Sequence, residues 1–417
     1  MRDLKAYIDS IRILDNHEHI RTQRMRQESG FDFYQMLHYI GSDLVTAGMP
    51  WEFLYGGGTE LDPEQKAQQF LTYWRRSSNT GYARALNMAV RDLYGMQEWT
   101  VPALLETNEK VRRATQDPGW YSYVLRERAG IDMALTLIQE TNVDLELFRP
   151  VLYFDPFFRL LNWTDIETVV GPNRSIGTLG QYMEAVEEII AGWVPLQVVA
   201  SKMGHAYWRT LFTEDVSRSD AEAVFRRLMD RAEGLSQAES KPLQDYLIHF
   251  CIQQSVRNGL PIQIHTGHHE PSVTRDGNTL TNSLVSDLIP LLLKYRDARF
   301  VLLHGGYPYV GEYASIAKNF PNVYADMTWL YVISPTASKQ LLHQLIDMVP
   351  QSKILGFGGD YLHVEGAYAH SKLARSVLTS VLQEKLADGS MNEEEAAHFA
   401  DLVLRDNVNE LYDLSLK

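Results

Sequence analysis

The sequence predicts a (β/α)8 barrel, the TIM barrel, with a helical insertion after its first strand. Eight short apolar runs rich in β-forming residues recur along the 417 residues. Segments with the 3.6-residue period of amphipathic helices separate the later runs. Strands that alternate with helices are parallel, and eight such units favour a closed barrel. The rival, an open doubly wound sheet, is disfavoured because no Gly-x-Gly-x-x-Gly motif follows the first run.

The first predicted strand spans residues 11–19, and a long, mainly helical segment over 20–130 follows it. This insertion is rich in Trp and Tyr, and a Gly-Gly-Gly run at 56–58 breaks it between two helices. We expect the insertion to lie over the active site as a lid. Because the sequence contains no repeat, low-complexity tract or linker, residues 1–417 are predicted to form a single domain.

The other seven strands and their helices follow in regular order. The strands are predicted at 132–138, 149–155, 196–202, 261–265, 299–304, 322–328 and 353–360. Helical periodicity occurs at 179–191, 219–234, 243–258, 281–295, 337–348, 369–386 and 392–413. The last helix opens at Asn392, a residue type that caps helices, with three glutamates in its first turn, where negative charge is favourable.

The composition limits the partners and the compartment. A net charge of −14 argues against nucleic acids and anionic membranes, since both are negatively charged. No apolar signal core follows the N-terminal residues, and no run approaches the roughly 18–20 apolar residues of a membrane span. The single cysteine, Cys251, excludes an internal disulfide and a thiolate cluster, so a metal site must use nitrogen and oxygen ligands. These features predict a cytoplasmic protein and leave a homo-oligomer open.

Side chains that bind metals or substrates end six of the eight predicted strands. They are His17, His19, Lys202, His265, His304, Asp326 and Asp360. The active site of a TIM barrel lies at the carboxyl ends of its strands, so these residues share one rim. On the first strand Asp15 alternates onto the same face as the two histidines, and two imidazoles there can reach one ion at about 2.0–2.1 Å. The joint occurrence predicts a metal centre.

In chain order these residues resemble the signature of the amidohydrolase superfamily. That signature has Asp-x-His-x-His on strand one, Lys or Glu on strand four, His on strands five and six, and Asp on strand eight. The chain is most similar to the amidohydrolase-related branch, which includes the amidohydrolase-like half of nodulin–glutamine-synthetase fusion proteins and, more distantly, the uronate isomerases. The closer likeness is carried by Tyr73-Trp-Arg-Arg-Ser-Ser-Asn-Thr-Gly-Tyr-Ala-Arg, Pro261-Ile-Gln-Ile-His-Thr-Gly, Leu303-His-Gly-Gly-Tyr-Pro and Asn322-Val-Tyr-Ala-Asp-Met.

The resemblance implies a role for each residue of the signature. One divalent ion would be held by four ligands, His17, His19, His265 and Asp360. Zinc is the default, with manganese or iron as alternatives. Such a ligand set leaves a position open for water, whose pKa falls toward 7. Asp360 would also serve as the general base, His304 would act on that water or on a substrate oxygen, and Asp15 would orient a ligand.

Lys202 is open to two interpretations. In two-metal members of the superfamily a carboxylated lysine at this position bridges the ions. Residues 201–209 instead resemble the branch in which the lysine contacts substrate, and a substrate carboxylate between an ammonium and a dication offsets their repulsion. On that reading a small carboxylated substrate would be bound by Lys202, Tyr207, Arg209, Asp326 and Arg75. Arg75, in the insertion, equally suits a solvated helix face.

The expected function is metal-dependent hydrolysis, in which metal-activated water attacks an amide, lactone or related bond of a small carboxylated substrate. The alternative on the same metal site is a uronate-isomerase-like aldose–ketose isomerisation, or a decarboxylation. In these reactions the metal would organise hydroxyl or carboxylate oxygens. The fold does not decide among the reactions, because unrelated chemistries share it.

Overall fold

The computed structural model describes residues 3–55, 61–137, 143–270 and 279–416. Over these residues eight parallel strands form one sheet, and each strand pairs with the next along the chain. They are β1 (Ile13–Glu18), β2 (Ile131–Leu137), β3 (Phe148–Tyr153), β4 (Ala200–Met203), β5 (Ile262–His265), β6 (Phe300–Leu303), β7 (Val323–Asp326) and β8 (Ile354–Leu355). Asn16 N–H donates to the Phe357 carbonyl and Asp360 N–H to the His17 carbonyl, each at 3.0 Å. These bonds join β1 to the segment that directly follows β8, and the predicted (β/α)8 barrel is confirmed.

Helices cover the outside of the barrel and fill the connection between β1 and β2. The α-helices are Leu4–Ser10, Gln23–Glu28, Ile40–Thr46, Trp51–Tyr55, Pro63–Ser77, Gly81–Tyr94, Val101–Gln116, Trp120–Ser122, Asp155–Phe158, Trp163–Val170, Leu179–Trp193, Arg218–Asp230, Gln237–Arg257, Ile289–Lys294, Val310–Asn319, Leu330–Ile333, Pro335–Met348, Val364–Ala387, Glu393–Asp401 and Asn407–Leu411. Tyr123–Ala129 and Leu402–Asp406 form π-helical turns. In the described ranges, none of the helices has the length and apolarity needed to cross a bilayer.

Two strands are shorter than the apolar runs suggest. β4 begins at Ala200 because Val194–Leu196 forms a 3₁₀ turn and Gln197 follows with a φ of 61°. β8 has two residues because the chain then passes close to the loop after β7. A Cβ atom at Gly358 would lie 1.9 Å from Thr328 Oγ1, so only glycine fits there. The tight passage leads directly to Asp360.

A buried ion pair fastens the segment between β1 and β2 to the barrel. Arg26 Nη2 lies 2.7 Å from Oε1 of Glu365, which is in the helix after β8. Tyr94 OH and Trp120 Nε1 donate to the same carboxylate oxygen at 2.5 and 2.9 Å. Burial alone would raise the pKa of Glu365, but the Arg26 charge holds it well below its usual range. Glu365 therefore remains ionised and binds three parts of the insertion.

The helix Asn407–Leu411 closes the amino-terminal end of the barrel. Arg299, just before β6, donates to the Leu411 carbonyl at 2.8 Å. Val408 and Tyr412 pack in one buried cluster with barrel residues such as Leu14. The Tyr412 side chain enters the barrel far enough for its hydroxyl to accept a hydrogen bond from Gln263, on β5, at 3.0 Å. This contact reaches the floor of the site at the opposite end.

Candidate metal centre

Three side chains from β1 and the loop after β8 converge on one point. His17 Nε2 lies 3.2 Å from His19 Nε2. Asp360 Oδ1 lies 3.4 Å from the first nitrogen and 3.2 Å from the second. Ligands about 2.0–2.1 Å from a tetrahedral ion are about 3.3–3.4 Å apart, so these spacings suit one zinc-sized ion. Within the described part of the chain, this is the one group of three His, Cys, Asp or Glu side chains close enough to share an ion.

The protonation of His17 makes this triad a donor set for a metal. His17 Nδ1 lies 2.7 Å from Gln263 Oε1, an acceptor, so the ring proton is on Nδ1 and Nε2 carries a lone pair. Gln263 Nε2 donates to the Asn16 carbonyl and to Tyr412 OH, which fixes the amide orientation. Burial lowers the pKa of His17 to about 4, so the ring is neutral at pH 7. A lone pair facing a carboxylate oxygen is repulsive unless a cation lies between them, and the triad therefore fits a divalent metal.

Two carboxyl groups hold the backbone behind the triad. Asp15 Oδ1 accepts hydrogen bonds from the His17 and Gly359 N–H groups at 3.2 and 3.1 Å. Glu18 Oε2 accepts one from Tyr361 N–H at 2.6 Å. Burial raises the pKa of Asp15 to about 7 and that of Glu18 well above its usual range, and the neighbouring Asp15 raises the pKa of Glu18 further. The sequence pointed to Asp15 but not to Glu18, because a register irregularity in β1 between them breaks the alternation of faces.

His265 and His304 form a second pair beside the triad. His265 Nδ1 lies 2.9 Å from His304 Nε2. The outer nitrogens lie 2.8 Å from the His268 carbonyl and 3.3 Å from the Thr328 carbonyl, respectively. Burial lowers the pKa of both rings well below the usual range, so both rings are neutral and each carries one N–H proton. These two protons cannot satisfy all three contacts, the one between the rings and the two with carbonyls. One ring nitrogen is left to accept a proton or bind an ion. The metal-ligand role of His265 stays a prediction.

The backbone is strained where the site residues leave the strands. His304 has a φ of 72°, Trp329 of 66° and Asp360 of 60°. Residues other than glycine seldom adopt this left-handed region, and such strain collects at functional sites, where surrounding contacts hold it. The strained positions follow β6, β7 and β8, at the rim where the sequence predicts the site.

Lys202 lines a cavity of about 320 Å³, the inner chamber, together with His19, His265, His304 and Asp360. Burial lowers the pKa of Lys202 to about 8, against the nearby negative charges led by Asp360. Its ammonium makes no hydrogen bond or ion pair with any residue that the structure describes. A buried charge without a partner is costly, so the position suits the carboxylate of a ligand.

A second cavity of about 480 Å³, the outer chamber, adjoins the first, and His19, Tyr39 and Tyr207 line both. Much of its wall comes from the insertion, from residues such as Phe31, Tyr34, Leu37, His38 and Leu54. Tyr39 stacks on Trp329 with ring centroids 4.7 Å apart, and its hydroxyl donates to the Asp360 carbonyl at 2.6 Å. Tyr207 lies against His265, 4.6 Å between centroids. The sequence did not single out Tyr39, because an aromatic residue in an apolar helical stretch resembles core.

Two arginines predicted to bind substrate, Arg209 and Arg75, do not line either chamber. Arg209 is buried, but its guanidinium binds Asp245 Oδ1 at 2.5 Å and the Phe212 carbonyl at 2.8 Å. It therefore ties the loop after β4 to the outer helix Gln237–Arg257. Arg75 is exposed on the helix Pro63–Ser77, which agrees with the solvated-face alternative.

Asp326, a third residue predicted to bind substrate, does not line either chamber. Its carboxylate is fully buried and accepts hydrogen bonds from Asn16 Nδ2 at 2.7 Å and from Thr328 N–H and Oγ1 at 2.9 and 3.0 Å. The His304 N–H also points to it at 3.4 Å. These groups occupy its oxygens, so Asp326 holds the strained loops in place, and its contact with substrate stays a prediction.

A (β/α)8 barrel with two histidines from β1, an aspartate after β8 and a histidine pair at the ends of β5 and β6 is similar to the arrangement in the amidohydrolase superfamily. The amidohydrolase family model matches residues 249–390, which contain β5 to β8. The predicted resemblance to the amidohydrolase superfamily is thereby confirmed.

Individual relatives extend the likeness over the whole chain. Protein fluG of Emericella nidulans is 28% identical over 214 residues, which cover 48% of this chain but only 24% of fluG. A uronate isomerase of Rhizorhabdus wittichii is 22% identical over 445 residues and covers 97% of this chain and 93% of its own. The crystal structure of glucuronate isomerase from Caulobacter crescentus superposes with a TM-score of 0.80 at 18% identity, covering 100% of this chain and 94% of the other. This structural likeness concerns the fold.

Proposed function

We propose that the protein is a metal-dependent aldose–ketose isomerase of a sugar acid. The observation that carries the proposal is the unpaired Lys202 ammonium, which lines the same chamber as His19 and Asp360 of the triad. That chamber offers a place for one carboxylate and, beside it, for hydroxyl oxygens. The proposal places isomerisation ahead of the expected hydrolysis, since relatives that cover nearly the full chain are named uronate isomerases.

Each residue would have a defined task. An ion held by His17, His19 and Asp360 would polarise two neighbouring substrate oxygens. Lys202 would bind the carboxylate and so set the direction of the sugar chain. Isomerisation moves a proton from C2 to C1 and another from O2 to O1, and consumes no water. Asp360 and His304 are the proposed proton carriers, because Asp360 Oδ2 lies 4.0 Å from His304 Nδ1 and a nitrogen of the histidine pair is free to accept.

Hydrolysis is the second candidate, favoured by the match to the amidohydrolase family model. The same residues would serve it. Asp360 would take a proton from water, His304 would bind the carbonyl oxygen, and Lys202 would again hold a carboxylate. The two reactions differ in whether oxygen from solvent enters the product.

Product analysis separates the candidates. Zinc- and manganese-loaded protein is incubated with D-glucuronate and D-galacturonate, and in parallel with a panel of lactones and N-acyl and γ-glutamyl compounds, in ¹⁸O-labelled water. The products are followed by NMR and mass spectrometry. If the protein is an isomerase, a uronate is converted to a ketose, and no bond is cleaved with incorporation of ¹⁸O from water. Label in a cleaved product, with every uronate unchanged, would contradict the proposal and support hydrolysis.

Lys202→Met tests the residue that carries the proposal. The variant should bind one metal per chain and show a higher KM, or a kcat/KM lower by about 1.5–3 kcal/mol, for the carboxylated substrate. Lys318→Met removes an exposed lysine and serves as the control. If the wild type holds two ions and Lys202→Met loses one, the lysine is a carboxylated bridge instead.

A further inference from the structure

We propose that the outer chamber binds a second carboxylate of the substrate through Arg21. The substrate would then be a uronic acid that keeps its aldehyde end for isomerisation and carries a second carboxylate on a substituent that extends beyond the inner chamber. This inference rests on the proposed function and adds the class of substrate to it.

The backbone directs Arg21 into the outer chamber. After β1 the chain stays extended beside residues 360–362, where the His17 carbonyl accepts from Asp360 N–H and the His19 and Arg21 N–H groups donate to the Tyr361 and Leu362 carbonyls. Alternate residues of extended chain face the same side, about 6.6–6.8 Å apart for each two-residue step. Arg21 therefore continues the row of the two metal-site histidines, one step farther from the barrel, and it lines the outer chamber.

Arg21 has a charge that no residue in the described part of the chain neutralises. Its guanidinium forms no hydrogen bond or ion pair with any residue in the described ranges, whereas its backbone is fixed, because Tyr121 OH donates to the Arg21 carbonyl at 2.8 Å. The side chain is half-buried in the chamber wall. A planar guanidinium held this way offers two parallel N–H groups to a carboxylate.

The acidic residue of the same chamber is already paired. Glu270 Oε1 accepts from Tyr82 OH at 2.8 Å and lies 2.9 Å from His268 Nε2. The His268 contact is foremost among the interactions that lower the pKa of Glu270, against the effect of burial, so the carboxylate is charged. Its charge is shared with these neighbours, and Arg21 remains the cation available to a ligand.

The chambers are placed for one elongated molecule. Lys202 lies in the inner chamber, Arg21 in the outer one, and His19, Tyr39 and Tyr207 form the shared wall. An acid whose first carboxylate meets Lys202 beside the metal would therefore carry its second carboxylate past His19 to Arg21. Malonate is too short to span the two-residue step from His19 to Arg21.

Calorimetric titration of the zinc-loaded protein with matched six-carbon acids tests this. Adipate has a distal carboxylate, hexanoate a distal methyl group and 6-aminohexanoate a distal ammonium. We expect adipate to bind on the order of tenfold more tightly than hexanoate, as a charge-assisted hydrogen bond allows, and malonate to gain nothing over acetate. Arg21→Gln should reduce the adipate advantage to less than threefold, Arg21→Lys should keep part of it, and Arg24→Gln, three residues along and exposed, should leave it unchanged.

The outcomes separate this inference from the proposed function. Equal affinities for adipate and hexanoate in the wild type, or an advantage that survives Arg21→Gln, would overturn the role of Arg21. Tighter binding of 6-aminohexanoate would assign the chamber to Glu270 and overturn it as well. Failure of the proposed function has a different signature, since no uronate would then yield a ketose, whereas the ratio of the adipate and hexanoate affinities does not depend on which reaction follows binding. The wild-type comparison requires no variant to fold.

Discussion

Gln263 decides which nitrogen of His17 faces the metal. Gln263→Leu keeps the size of the side chain but removes the acceptor for His17 Nδ1–H, so either nitrogen can carry the proton. Partners of this kind are typically worth about 10–100-fold in metal affinity, and we expect a loss of that order in zinc affinity. Competition with a chromophoric chelator measures it. Gln254→Leu, which alters a buried glutamine bound to Glu187 on an outer helix, is the control, and equal zinc affinity in both variants would refute the role.

Lys202 gives the activity a limit at alkaline pH. Its pKa is lowered by burial from 10.5 to about 8, so the ammonium that binds a carboxylate is lost as the pH rises through about 8. A bound dication acts in the same direction. We expect kcat/KM for the carboxylated substrate to fall above this pH, because kcat/KM reports the free enzyme. For an uncharged aldose of the same length, kcat/KM should not decrease in this pH range. If kcat/KM for the acid stayed constant up to pH 9.5, Lys202 would not be the group that binds the carboxylate.

Sequence patterns found the residues of the rim but not their partners. His17, His19 and Asp360 could be located because strand ends are visible in one dimension and the barrel brings the ends together. Gln263 could not, since its role depends on His17, 246 positions away in the chain. The partners of Arg209 and Asp326 could not be located either, since a sequence does not reveal that Asp245 and Asn16 bind them.

Among the elements, the insertion depends on Glu365 for its attachment. Glu365→Gln leaves the buried Arg26 charge without its counter-ion while three donors still face the amide. Removing one partner of a buried pair typically costs about 3–5 kcal/mol, and we expect the free energy of unfolding in urea to fall by that order. Glu222→Gln breaks an exposed pair with Arg218 and should cost about 0.3–0.5 kcal/mol. A similar small loss in both variants would show that the Glu365 contacts do not hold the insertion.

The strand and helix boundaries show where periodicity fails as a guide. Helices such as Leu179–Trp193 and Pro335–Met348 match their predicted spans closely. The predicted helix 281–295 is instead a 3₁₀ turn at Val285–Leu288 followed by the short helix Ile289–Lys294. The apolar run at 353–360 continues past β8 because Gly358 and its neighbours pack closely without pairing as a strand. Burial, rather than strand pairing, keeps such residues apolar.

At the scale of the whole molecule, the metal should stabilise the fold. Without an ion, two imidazole nitrogens and a carboxylate oxygen face one another at 3.2–3.4 Å. A ligand that binds only the folded state adds about 2.7 kcal/mol at 100 times its Kd. We therefore expect chelation by EDTA to lower Tm in differential scanning fluorimetry and added zinc to restore it. In the double variant His17→Ala/His19→Ala, EDTA and zinc should no longer change Tm. If they change it as in the wild type, the stabilising ion binds elsewhere.

The contact between Tyr412 and Gln263 has a consequence for how the protein is made. The two histidines of the triad leave the ribosome near the start of synthesis, whereas Asp360 follows roughly 20–70 s later at about 5–20 residues per second. Tyr412, which steadies the amide behind His17, emerges later still. A nascent chain thus presents a His-x-His pair without its carboxylate or its support. Selective loading of an ion at this triad would consequently follow translation, and the metal bound would depend on the supply that the finished protein meets.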